Sequence, residues 1–79
     1  KMEKMLETMV KSLVEEKEEV TITQTEGSSE KEISFVVKVA TSDMGRVIGK
    51  QGRVAKAIRT VMKAIAGREH KKVVIEFVS

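Results

Sequence analysis

The stretch "MGRVIGKQGRVAKAIR", residues 44–59, decides the fold. It sets three glycines and five cations (Arg46, Lys50, Arg53, Lys56 and Arg59) among apolar residues at helical spacing. Just upstream, Ser42 reads as an N-cap, and Met44, Val47 and Ile48 mark a short helix that ends at "GKQG". Downstream, a longer helix begins near Arg53, with Val54, Ile58, Val61 and Ile65 as its buried line and Gly67 as its stop. Gly49 and Gly52 then bracket a sharp corner between two helices. There they offer backbone conformations and a close approach that a β-carbon would obstruct. The N–H groups of residues 50–53 open the second helix, whose positive dipole end favours a phosphate. Lys50 adds a point charge, and Arg53 and Lys56 follow on the next turn.

Outward from the corner, the period changes twice. Met2, Met5, Leu6, Met9, Val10, Leu13 and Val14 fall at steps of three and four, so a helix is expected over about 2–16. The acidic run Glu15, Glu16, Glu18 and Glu19 opposes the dipole at that helix's C-terminus and helps to stop it. From Val20 the alternation is that of strands: Val20 and Ile22, then Ile33, Phe35, Val37 and Val39, joined by a turn around "EGSSEK". Val73, Ile75 and Phe77 alternate again, giving a third strand over about 71–78. The expected order is α-β-β-α-α-β in one domain over residues 1–79, an α+β fold with three helices on one face of a mixed three-stranded sheet. Met2 reads as the natural start, and Lys1 is given no role.

Composition narrows the function. The chain has 79 residues, 41% of them hydrophobic, and neither proline nor cysteine, so it is stabilised by packing without a disulfide or thiolate metal site. No apolar run approaches a membrane span and nothing resembles a signal peptide, which sets the expected location in the cytoplasm, away from any membrane. The net charge of +3 conceals an asymmetry: residues 1–40 carry six Lys and nine Glu, whereas residues 41–79 carry nine Lys or Arg against Asp43, Glu69 and Glu76. No acidic residue falls between Gly45 and Ala66, and Lys56, Arg59 and Lys63 form a basic stripe on the second of the two corner helices. Catalytic groups are scarce. His70 stands alone in a turn, Asp43 sits in a helix's first turn, and no cluster suggests a metal or another cofactor. "GRVIGKQ" is not a P-loop, because it has three residues between its glycines instead of four, and Gln51 stands where a Mg²⁺-binding Ser or Thr is needed. A dinucleotide fingerprint would need a further glycine.

A G-x-x-G loop between two helices, preceded by "RVI" and followed by a closing strand, resembles a KH domain of type II topology. The whole chain is similar to the small stand-alone bacterial KH proteins of the KhpA family. That resemblance implies a single-stranded RNA-binding protein without enzymatic activity, a post-transcriptional regulator or RNA chaperone, whose loop holds the nucleic-acid backbone while bases lie in an apolar groove. Carried onto this sequence, the clamp is Gly49, Lys50, Gln51 and Gly52. Gly45, Arg46 and Ile48 stand before it, and Arg53, Val54, Ala55, Lys56 and Ile58 after it. Many KH domains have a bulky aliphatic where this chain has Ala55. Phe35 and Phe77, the only aromatics, sit at core parity, so stacking on a sheet surface is not expected.

The alternative function is a protein-interaction module that uses the same scaffold to dimerise. On the helix after the corner, residues 54–66 present apolar or alanine side chains over roughly 200° of arc, wider than one core needs. Met62, Ala64 and Ala66 are the expected centre of a contact surface. The resemblance implies self-pairing into a homodimer and a heterodimer with a larger KH-containing protein.

Overall fold

The computed structural model describes residues 1–79. Helix α1 (Met2–Leu13) buries Met2, Leu6 and Val10, one residue per turn, and Val14 is buried just beyond its end. The helix is shorter than its apolar periodicity suggests. Val14 leaves it with φ −108° and ψ 163°, and the N–H groups of Glu15 and Glu16 bond to the Asp43 carboxylate instead of to the preceding turn. A tertiary acceptor thus ends the helix before the acidic run can. A 3₁₀ turn, Lys17–Glu19, which has no periodic signature in the sequence, leads into the sheet.

Strands β1 (Thr21–Glu26) and β2 (Glu32–Lys38) form an antiparallel hairpin in the register Thr21↔Lys38 to Glu26↔Ile33. Its turn is closed by Glu32, whose carboxylate accepts the Ser28 N–H at 3.0 Å and the Ser28 hydroxyl at 2.9 Å. Gly27 is required here by space: a β-carbon would collide with the Glu32 carbonyl group. Strand β3 (Lys72–Val78) pairs parallel to β2 from Glu32↔Lys72 to Lys38↔Val78, so the sheet is mixed, with β2 in the centre. A parallel pair needs a crossover, and helix α2 (Thr41–Arg68) provides it.

Register places Ile33, Phe35 and Val37 beside Val73, Ile75 and Phe77 on one sheet face. That face meets the buried residues of both helices in a single core: Leu6 and Val10 from α1, and Val47, Ala55, Ile58, Met62 and Ala66 from α2. The opposite face carries Thr23, Thr25, Ser34, Glu76 and the exposed Val74. No buried polar side-chain atom lacks a partner.

The helical segment Thr41–Arg68 is broken at residues 49–52, whose dihedral angles are non-helical, at the corner expected between two helices; other expectations for it need correction. Its N-cap is Ala40, not Ser42, and the first turn is closed by the Asp43 N–H on the Ala40 carbonyl at 2.8 Å. It runs past Gly67 to Arg68 and is turned by His70 at φ 58°, with the Lys71 N–H on the Ala66 carbonyl at 2.9 Å. Met62 and Ala66 are fully buried, so the contact surface centred on them is not available. Only the inner part of the wide apolar arc is covered: Ala55, Ile58, Met62 and Ala66 pack into the core, whereas Ala57, Val61 and Ala64 stay exposed.

Candidate nucleic-acid interface

At the break in α2, Gly49 is extended (φ −71°, ψ 175°), and Lys50, Gln51 and Gly52 follow in left-handed conformations with φ of 49°, 64° and 72°. Left-handed backbone costs a residue with a β-carbon about 1–2 kcal/mol, so Lys50 and Gln51 hold strain that only Gly52 escapes. The expectation that both glycines serve the turn is therefore half right. Gly52 has the positive φ, whereas the dihedral angles of Gly49 suit any residue, and a β-carbon there would meet nothing within 4 Å. Gly45, on the helical turn before, is equally unobstructed. Neither backbone geometry nor packing requires glycine at 45 or 49.

Those two glycines open onto the same space. A groove of about 450 Å³ is bounded by Ser42, Gly45, Arg46, Gly49, Lys50 and Val54. In sequence Ser42 reads only as a cap, and nothing in its spacing marks it as a wall residue. Val54 of the groove wall is half-buried, whereas Ile48, next to the loop in sequence, does not line the groove and is 52% exposed, an unusual position for an isoleucine. Ala55 and Ile58, expected beside the loop as groove residues, are buried in the core and lie behind the wall. The small side chain at 55 fits that position, where the helix crosses the sheet.

The cations divide into two groups. Lys50, Arg53, Lys56 and Lys63 are exposed and contact no carboxylate, as does the neutral Gln51 at the tip. Arg59 is taken out of the expected stripe: its Nε and Nη2 donate to the Ile75 carbonyl at 3.2 and 3.0 Å, and its guanidinium lies 5.4 Å from the centre of the Phe77 ring. It fastens α2 to β3. Arg46 lies between the groups, with Nε 3.6 Å from Asp43 and Nη2 3.6 Å from Glu15. Asp43 itself is buried, and the two backbone N–H groups of Glu15 and Glu16 hold its carboxyl below the usual aspartate range against the opposing effect of burial, with Arg46 adding a smaller pull. Sequence reading placed Asp43 in the first turn but gave no sign of its partners, which lie 27 and 28 residues away.

A bare-backbone corner with unpaired cations, set in this order of elements, can be compared with known proteins. The family model of the KhpA/KhpB KH domain matches residues 3–77. The chain belongs to the KhpA/KhpB family of KH domains. Over 77 residues it is 53% identical to the RNA-binding protein KhpA of Clostridium acetobutylicum, covering 98% of this chain and all of that one. It is 51% identical to RNA-binding protein KhpA of Clostridium perfringens with the same coverage, and 43% identical to RNA-binding protein KhpA of Listeria monocytogenes, covering 98% and 99%. The KhpA/KhpB domain is a non-enzymatic family, in keeping with a chain whose single histidine sits in a turn. No group of three or more His, Cys, Asp or Glu side chains could hold a metal ion, and no helix is long and apolar enough to cross a membrane.

Proposed function

We propose that this chain binds single-stranded RNA, with Gly49, Lys50, Gln51 and Gly52 clamping the nucleic-acid backbone and the adjoining groove receiving sugar or base. The domain spans residues 1–79 and follows the type II KH order, in which the two arms of α2, residues 41–48 and 53–68, count as separate helices. The observation that carries this reading is the pair Gly45 and Gly49, which line the groove without any steric or conformational need for glycine. Their bareness serves something that approaches from outside, and the charge beside them suits a phosphate. Lys50, Arg53 and Lys56 neutralise the strand, Arg46 stands ready beside them, and Ile48 and Val54 offer aliphatic contact to bases. With no exposed aromatic residue, affinity comes from backbone and charge. Such weak, sequence-tolerant binding suits a cytoplasmic RNA chaperone or post-transcriptional regulator.

The test is the double variant Lys50→Asp with Gln51→Asp. Both side chains are exposed, so the circular dichroism spectrum and melting temperature stay near wild type, while affinity for a short single-stranded RNA falls at least about tenfold, since a reversed charge opposes every phosphate. Retained binding in a folded double variant overturns the clamp. In wild type, three unpaired cations at about 0.7 each predict a slope of about −2 for log affinity against log salt.

Self-association forms a second part of the proposal, favoured by the exposure of Val61, which is 46% exposed on the outer side of α2 between the exposed Ala57 and Ala64. Their spacing of four and three puts them on one helical face. A homodimer, or a heterodimer with a larger KH-containing protein, would use this strip in place of Met62. Sedimentation across a concentration series tests it: Val61→Glu abolishes dimerisation, and a monomer at every concentration in wild type excludes it.

A further inference from the structure

Asp43 is the only acidic residue of α2 and the only charged side chain in the interior. Its oxygens are both engaged, Oδ1 by the Glu15 N–H at 3.0 Å and Oδ2 by the Glu16 N–H at 2.9 Å. This pins the segment after α1 against the first turn of α2, one turn before the loop. The Glu15 side chain, 76% exposed, is thereby held where its carboxylate reaches Nη2 of Arg46 at 3.6 Å. Arg46 is also a wall of the groove. Of the four glutamates at 15–19, only Glu15 contacts a cation.

We infer that Glu15 is an internal competitor of phosphate for Arg46, and that it limits the affinity of the groove. The inference rests on the RNA-binding reading above and concerns the strength of that site. Asp43 and Glu15 play different parts. The Asp43 oxygens are satisfied by two N–H groups and shielded from solvent, so Asp43 stays in place when a ligand arrives. Glu15 lies in water, and at 3.6 Å its contact is a charge interaction without hydrogen-bond geometry, so it yields. A phosphate oxygen pair matches the guanidinium fork better than one distant carboxylate oxygen does. Each binding event must therefore first release Arg46 from Glu15, and the gain from the new contact is reduced by the one lost. Lys50, Arg53 and Lys56 carry no such deduction.

The experiment is a double-mutant cycle on the full chain. Binding of a labelled short mixed-sequence single-stranded RNA is measured at several salt concentrations for wild type, Glu15→Gln, Arg46→Gln and the double variant, with Glu18→Gln as a control on the same connection. Glu15→Gln is expected to tighten binding about twofold to fivefold, the range of a broken exposed ion pair, and to steepen the salt slope by up to about 0.7, one more phosphate contact. In the Arg46→Gln background the same change leaves affinity unaltered, and Glu18→Gln has little effect in either. Equal tightening in both backgrounds would reduce Glu15 to a contributor of bulk negative charge and overturn the inference, as would no tightening at all. In both cases, loss of wild-type binding on Lys50→Asp with Gln51→Asp leaves the clamp standing. A wild-type chain that fails to bind at low salt removes the RNA-binding reading, and this inference falls with it.

Discussion

The two arms of α2 use the same small and cationic residues for opposite purposes. In the arm before the loop, Gly45 and Gly49 face open space, and of residues 45–52 only Val47 is buried. In the arm after it, Ala55 and Ala66 are buried at 2% and 0% exposure, and with Ile58 and Met62 they form a continuous inner line. Smallness on the first arm leaves a surface uncovered; on the second it lets a helix lie close to a sheet. The cations divide in the same way. Lys50 and Lys56 end in solvent, whereas Arg59 ends on a backbone carbonyl of β3. What a residue does here depends on which side of the element the core lies, and residue type alone does not reveal it.

The largest expected effect would break the comparison at its distal end. Met62→Glu puts a carboxylate into the centre of the core, which destabilises by about 4 kcal/mol or more in a chain whose whole stability is about 4–12 kcal/mol at this size. The helical circular dichroism signal should collapse. A folded Met62→Glu protein would mean that the inner line is misassigned.

Arg59 and Lys56 sharpen the division among the cations. Arg59→Ala removes a charged donor from the Ile75 carbonyl and should lower stability in urea unfolding by about 1.5–3 kcal/mol. Lys56→Ala should leave stability within about 0.5 kcal/mol and flatten the salt dependence of RNA binding by about 0.7. Exchange of these two outcomes would reverse their assignment.

The glycines separate conformation from space. Gly52→Ala should lose about 1 kcal/mol because its φ is positive. Gly49→Ala should be neutral or gain up to about 1 kcal/mol through the unfolded chain, while weakening RNA binding. An alanine at 49 that lowers stability as much as one at 52 would show that both glycines serve the fold.

The smallest effect is read with pH. The Asp43 carboxyl titrates below its ordinary value in the folded chain, so its stabilisation is fully present above the unfolded value of about 4 and is lost as pH falls through the lower folded value. Glu7, lowered chiefly by its hydrogen bond to Lys11, and Glu32, lowered chiefly by the Ser28 N–H, act in the same direction. The melting temperature should hold from neutrality to about pH 5 and then decline. Asp43→Asn should make that decline shallower, and an unchanged profile would argue against the Asp43 carboxylate as the group that pins the segment after α1 to α2.

Much of this was legible in the chain as written. Alternation marked Phe35, Val37, Val73 and Ile75 as core-facing, the three-and-four steps marked Leu6 and Val10, and the bracket of Gly49 and Gly52 located the loop. These features rest on local period and local backbone preference, which a sequence carries in full. Tertiary structure alone decided the rest. Helix α1 stops at Leu13 because an aspartate 27 and 28 residues away takes the next N–H groups. Met62 and Ala66 turn inward because a sheet covers that side of α2, and Arg59 leaves the basic stripe because Ile75 presents a carbonyl to it. Gly49 is not required by its surroundings, since a β-carbon there meets nothing within 4 Å. Each of these depends on which distant group occupies the space beside a residue, and a periodic pattern carries no record of its neighbours across the core.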